Sequence, residues 1–237
     1  MNVVTLDFET HYSADYSLRR MPTSLYIRDD RFLAHGAGIK INSNPAKWFT
    51  RKQLPELFAR IPWANTTLVG HNLHFDAAIL NWHYDCRPRW HVDTLALSRA
   101  IVGQHLQRHG LDYVSKELLG AGKLDGLAQT MGLVHLPPHV EKQLATYCID
   151  DVEKSYSLCK RLLPHLPNRE LYIMDWVTRQ FTQPKLQLDA DMLADYLEEV
   201  KQLKVDALRN AGLEDRKLLM SNPQYAAALE AMGVTPP

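Results

Sequence analysis

The chain has 237 residues, 46% of them hydrophobic and 23% charged, the proportions of an ordinary globule long enough to bury a full core. Its 27 basic and 27 acidic residues cancel, which argues against a protein that grips duplex DNA through phosphates alone, unless several carboxylates are committed to bound cations. No apolar run approaches the roughly 18–20 residues of a membrane span, and the N-terminus lacks the basic start of a signal peptide. Cys86, Cys148 and Cys159 make too sparse a set for a disulfide framework, so the expectation is a cytoplasmic protein with free thiols.

Residues 3–8, Val-Val-Thr-Leu-Asp-Phe, predict a buried strand, and residues 32–40 a second one whose glycines permit close approach. Trp48 and Phe49 belong to a third. A short helix is expected over 53–61, and 67–70 reads as a strand entering a loop. Over 75–84, Phe75, Ala78, Ile79 and Trp82 recur at helical spacing. Further helices are expected over 93–101, 110–119, 139–163, where Pro164 stops the pattern, and 170–181. Strands first, then strand–helix alternation, predict an α/β domain with a mixed central sheet. Pro184 marks the expected boundary between a domain of residues 1–183 and a helical extension of residues 184–237. In the extension a helix opens at Asp189 with Leu193, Leu197, Val200 and Leu208 on one stripe, and a short helix follows Pro223. This tail carries no catalytic cluster and reads as cut rather than finished.

Three short stretches carry the chemistry. Asp7 and Glu9 are two apart on a strand, so both point to one face, where paired carboxylates are costly unless a divalent cation neutralises them. Taken alone, they equally fit an exposed strand end. Gly70-His-Asn-Leu-His-Phe-Asp76 runs strand, polar turn, helix, and puts Asp76 in the helix's first turn, where a carboxylate also merely complements the helix dipole. Tyr147 and Asp151 are four apart on a helix and share a face, which allows a phenol to position a water beside a carboxylate but equally describes an ordinary helix. Asp150 competes with Asp151 but points about 100° away.

In this order, Asp7-Phe-Glu9, Asn72-x3-Asp76 and Tyr147-x3-Asp151 resemble the three exonuclease motifs of the DEDD superfamily in its tyrosine subtype; the histidine subtype would place His where Thr146 stands. Val92-Asp-Thr-Leu-Ala-Leu-Ser-Arg and Arg108-His-Gly-Leu-Asp-Tyr-Val resemble flanking segments of the proofreading domain of phage-type family A DNA polymerases, and the tail, less specifically, the start of a polymerase region. The palm motifs for nucleotide addition are missing from the sequence, so polymerisation by this chain is not expected.

The resemblance implies a ribonuclease H-like fold, a phage- or bacterium-encoded protein, and 3′-5′ removal of nucleotides from single-stranded or frayed DNA during replication. It also implies two Mg2+ or Mn2+ ions. Asp7, Glu9 and Asp151 would hold one, Asp7 would bridge to the second, and Asp76 would hold the second, with Glu9 and Tyr147 orienting the attacking water. Thr10, Asn72, Phe75 and Arg108 are the candidates to touch substrate, and a polymerase region in the same or a separate chain is the candidate partner; no membrane is involved.

Three rivals remain at this level. An RNase D-like exoribonuclease would carry the same motifs. A catalytically inactive exonuclease fold would serve as a DNA-binding or scaffold module, although such copies typically lose an acid and this chain keeps four. A zinc module would use His71-x2-His74 and His83-x2-Cys86.

Overall fold

The computed structural model describes residues 2–122, 130–212 and 220–236. The chain divides into two compact units, Met1–Lys185 and Leu186–Pro237. In the first, the expected mixed sheet has five strands: β1 (Asn2–Thr10), β2 (Ala34–Ile41), β3 (Lys47–Thr50), β4 (Thr66–Gly70) and β5 (Trp90–Asp93), in spatial order β3-β2-β1-β4-β5. The β1–β2 and β2–β3 pairs are antiparallel, while β1–β4 and β4–β5 are parallel. The strand of Asp7 and Glu9 is therefore the central one.

Alternation along β1 decides which side chains meet which layer. Val4, Leu6 and Phe8 are buried in the main core with Leu68, Ile79 and Phe58, beside α2 (Leu54–Ala59) and α3 (His74–Tyr84). Thr5, Asp7 and Glu9 face the other way, toward α6 (Pro138–Leu162), which crosses four strands of the sheet. A smaller core of Val69, Val92, Leu97, Cys159 and Leu162 joins α6 to α4 (Thr94–Val102), and α5 (Leu111–Leu119) covers α6 from outside.

The glycine expected to allow close approach does so. A Cβ on Gly38 would lie 2.9 Å from Cys148 Sγ and 3.0 Å from both the Cys148 carbonyl oxygen and Val152 Cγ2. Only a bare Cα lets α6 sit this near β2.

Two elements escaped the sequence reading. A short helix, α1 (Thr23–Arg28), carries the buried Tyr26 and Ile27, and β5 lies where no strand was expected, overlapping the helix expected over 93–101 only at Asp93. β5 is only four residues long and includes the buried His91, so it shows no apolar run. His91 is satisfied by α7 (Asn168–Thr182): Asp175 accepts from its backbone N–H at 2.9 Å and its Nδ1–H at 2.7 Å, and Arg179 donates to the other carboxylate oxygen at 2.7 Å. In the second unit, α8 (Ala190–Asn210) is capped by the Asp189 side chain, and its described residues include none that is buried; α9 (Asn222–Ala231) follows.

Candidate active site

Asp7, Glu9, Asp76, Tyr147 and Asp151 line one pocket of about 500 Å³ at the carboxyl ends of the parallel strands β1 and β4. Each arrives by a local rule. Asp7 and Glu9 come from the pleat of β1. Asp76 sits in the first turn of α3, only 3% exposed, and its Oδ1 accepts the Phe8 N–H at 2.8 Å, tying the helix to the backbone between the two β1 acids. Tyr147 and Asp151 lie one turn apart on the face of α6 turned to the sheet. Asp150 points elsewhere and is paired with Lys154.

The loop before α3 is held from outside the pocket. Asn72 takes a left-handed conformation (φ 61°), which asparagine tolerates better than most residues, and its N–H donates to Asp93 Oδ1 at 2.8 Å. The same oxygen caps α4 by accepting the Leu95 N–H at 2.9 Å. His71 donates from Nε2 to the His109 carbonyl at 3.0 Å, and its Nδ1 lies 2.9 Å from Thr94 Oγ1. The two segments that resembled polymerase-domain flanks thus buttress the loop that delivers Asp76.

The electrostatics are those of crowded acids. Burial first, and the charge of Asp7 second, hold the Asp76 carboxyl well above the ordinary carboxylate range, against the pull of the Phe8 N–H. The described lining includes four carboxylates and neither lysine nor arginine. Carboxylates converging this way favour a bound dication. Ligand atoms of Asp7, Glu9 and Cys148 lie within 4.8 Å of one another, yet the sulfur does not suit the role. Burial, then the charges of Asp7 and Glu9, push the Cys148 thiol well up, so it stays neutral. It donates to the Asp7 carbonyl at 3.2 Å and accepts the Gly38 N–H at 3.1 Å, as packing between helix and sheet.

Of the substrate-contact candidates, Asn72 and Phe75 line this pocket; Thr10 lines an adjoining one that Phe75 shares. The Tyr26 hydroxyl donates to the His11 carbonyl at 2.5 Å, so the Thr10 hydroxyl is the donor in its 2.8 Å bond to Tyr26. Arg108 lies exposed between α4 and α5 and lines neither pocket. Leu18, Thr23 and Phe181 also line the acid pocket and were not singled out beforehand, and His71 and His74, named only for the zinc module, line it too. Phe181 arrives from α7 and meets His74 edge-on at 5.8 Å, a tertiary contact without a local signal. The zinc spacings are spent otherwise: His83 donates to the Ile27 carbonyl at 2.9 Å, and the Cys86 thiol to the Tyr84 carbonyl at 3.3 Å.

A family model described as 3′-5′ exonuclease matches residues 1–167. Among solved structures, Brucella melitensis NrnC superposes with a TM-score of 0.54 at 20% identity, covering 76% of this chain and 81% of that one. The catalytic core of Trypanosoma brucei RRP6 gives 0.53 at 14% identity, covering 80% and 49%. Trypanosoma brucei RNase D in complex with RNA U12 gives 0.51 at 15%, covering 79% and 67%. At these identities the likeness is one of fold, the ribonuclease H-like arrangement of sheet and helices. No curated protein matches the sequence significantly. The matched family model, spanning most of the chain, and the sheet that carries the acids agree: this chain belongs to the 3′-5′ exonuclease family of the DEDD superfamily.

Proposed function

We propose that this chain is a divalent-metal-dependent 3′-5′ exodeoxyribonuclease that trims unpaired or frayed DNA ends in the cytoplasm and proofreads for a DNA polymerase. One observation carries the reading: Asp7, Glu9, Asp76, Tyr147 and Asp151, from three distant stretches, line a single pocket. The donors fit Mg2+ or Mn2+, since all four acids offer hard oxygen and the nearby sulfur is a neutral thiol turned to the backbone. Asp7, Glu9 and Asp151 would hold one ion, and Asp76 together with Asp7 would hold a second. When bound, the ions supply a water acidified toward neutral pH and a counter-charge for the departing 3′ oxygen.

The chain's own groups do the rest. Tyr147 and Glu9 orient the attacking water, and Asn72 and Phe75 hold the terminal nucleotide, with Thr10 beside them. The buttress from Asp93 and His109 fixes the Asn72 loop before substrate arrives, so little ordering remains to be done in the bound state. Preference for DNA is supported by the flanks at Val92 and Arg108 rather than by the acids, which do not read the sugar. Residues 184–237 are read as the start of a polymerase region.

The test is digestion of end-labelled single-stranded DNA with and without Mg2+ or Mn2+, beside Asp7→Ala and a matched RNA. The expected result is a ladder growing from the 3′ end that requires metal and Asp7. Undiminished cleavage in excess EDTA would sink the metal site, and faster cleavage of RNA would make the enzyme an exoribonuclease.

A further inference from the structure

Next to the acid pocket lies a larger depression of about 760 Å³, whose lining includes Tyr12, Ser17, Arg19, Arg20 and Met131. Phe8, Glu9, Leu18 and Phe75 line both, so the two form one continuous surface. The wall is residues 11–22, the connection from β1 to α1, and it is built rigidly. Tyr16 stacks on Tyr26 at 4.5 Å and donates to the Tyr26 carbonyl at 2.7 Å. The Gly132 N–H donates to the Tyr12 carbonyl at 2.7 Å, and His11 Nδ1 lies 2.9 Å from the Leu133 carbonyl, which clips the segment before α6 onto the same wall.

The charges on this wall are unequally committed. Arg31 is clamped by Asp29 at 2.7 Å and lies over the Tyr16 ring, and Arg28 lies over Trp82. Arg19 and Arg20 are exposed at the lip of the depression and enter no ion pair among the described residues. An acid pocket repels a polyanion. Arg19 and Arg20 place positive charge in the adjoining depression, partly offset by Asp15, whose carboxyl Arg20 helps hold low, and beside aromatic and thioether surface of the kind bases stack on.

We propose that this trough binds the strand immediately 5′ of the terminal nucleotide, with Arg19 and Arg20 on backbone phosphates and Tyr12 and Phe75 as surface for the bases. It makes the enzyme favour ends several nucleotides long over dinucleotides. This rests on the exonuclease reading above and adds the length of strand recognised and the residues that recognise it.

The experiment compares steady-state hydrolysis of a DNA dinucleotide and a DNA hexanucleotide by the full chain and by Arg19→Ala/Arg20→Ala, in Mg2+. The double variant is expected to lower kcat/KM on the hexanucleotide by about 10- to 100-fold, chiefly through KM, and to cut the hexanucleotide-to-dinucleotide ratio at least tenfold. Losing two phosphate contacts should also flatten the log KM against log salt plot by about 1.4, at 0.7 per contact on a single strand. Arg19→Lys/Arg20→Lys, which keeps the charges, should recover most of the ratio. Equal losses on both substrates, or no loss on either, overturn the trough. An active wild type with an unmoved ratio removes the trough alone, whereas a wild type inactive on both removes the exonuclease reading along with it.

Discussion

Replacing Gly38 with alanine tests whether α6 is a positioning element for catalysis or only a cover for the sheet. The new Cβ would sit 2.9 Å from Cys148 Sγ and 3.0 Å from the Cys148 carbonyl oxygen, whereas comfortable contact begins near about 3.5 Å. The thiol can rotate; the carbonyl belongs to the helix backbone and cannot. The helix must therefore withdraw from β2 by about half an ångström. Overpacking of this kind costs about 1–3 kcal/mol in stability. Tyr147 immediately precedes Cys148, and Asp151 lies one turn on, so both withdraw from Asp7 and Glu9 together. Since a displacement of about 1 Å can cost roughly 100-fold in rate, kcat should fall about 10- to 100-fold with a smaller change in KM. Urea unfolding and single-stranded DNA digestion in Mg2+ measure the two effects. Gly120→Ala is the control: its φ of 74° makes alanine strained at the end of α5, yet the site opens onto free space, so stability should drop by about 1 kcal/mol without loss of kcat. If Gly38→Ala loses stability but keeps kcat within about twofold, α6 does not set the spacing of the acids, and the reasoning fails.

The Asp76 carboxyl yields a paired test. Asp76→Asn can still accept the Phe8 N–H while removing a buried, repelled acid, so in EDTA it should be at least as stable as wild type; Asp76→Ala orphans that N–H and should lose about 1–3 kcal/mol, with both inactive. Equal denaturation midpoints would contradict this. Asp7→Ala should abolish cleavage without lowering the melting temperature of the metal-free protein, and calorimetry should find its Mg2+ binding lost. Burial first, then His11 and Arg51, pull His35 from 6.5 down to about 4, so the fold refuses a proton that the unfolded chain accepts. Its contribution is therefore fully present above pH 6.5 and is lost as pH falls toward 4, by up to about 3 kcal/mol at about 1.4 per unit. Unfolding curves of His35→Gln should be flatter across that window, and parallel curves would exclude the effect. Asp175→Ala strips the partner from buried His91 and from Arg179 and should cost about 3 kcal/mol or more, seen as an early unfolding midpoint.

Much of the arrangement could be read from residues that carry their own geometry. Period-two alternation in β1 put Asp7 and Glu9 on a common face, and four-residue spacing did the same for Tyr147 and Asp151; such rules need no tertiary knowledge. What sequence reasoning could not supply was what lies across space. Asp93 looked like a helix start and is one, yet the same carboxylate oxygen also braces the Asn72 loop, because β5 happens to run beside β4. β5 was invisible because its His91 is polar until Asp175, 84 residues away, is seen to satisfy it. Leu18 and Phe181 reach the pocket from segments that show no catalytic pattern in the sequence, and Arg108, plausible as a lone basic residue in a familiar-looking segment, lies away from the pocket's lining.

A central strand has no free edge, and β1 is laddered to β2 on one side and β4 on the other. At Val4 and Thr5 the backbone is laddered on both flanks, so deuterium can enter those amides only when the sheet as a whole comes apart. Asp7 and Glu9 lie just beyond this doubly paired stretch: their backbone pairs with β2 alone, and the Phe8 N–H between them is held by the Asp76 carboxylate. The two β1 acids thus hang from a backbone that opens only globally, whereas loosening of the Asn72 loop would displace Asp76 alone.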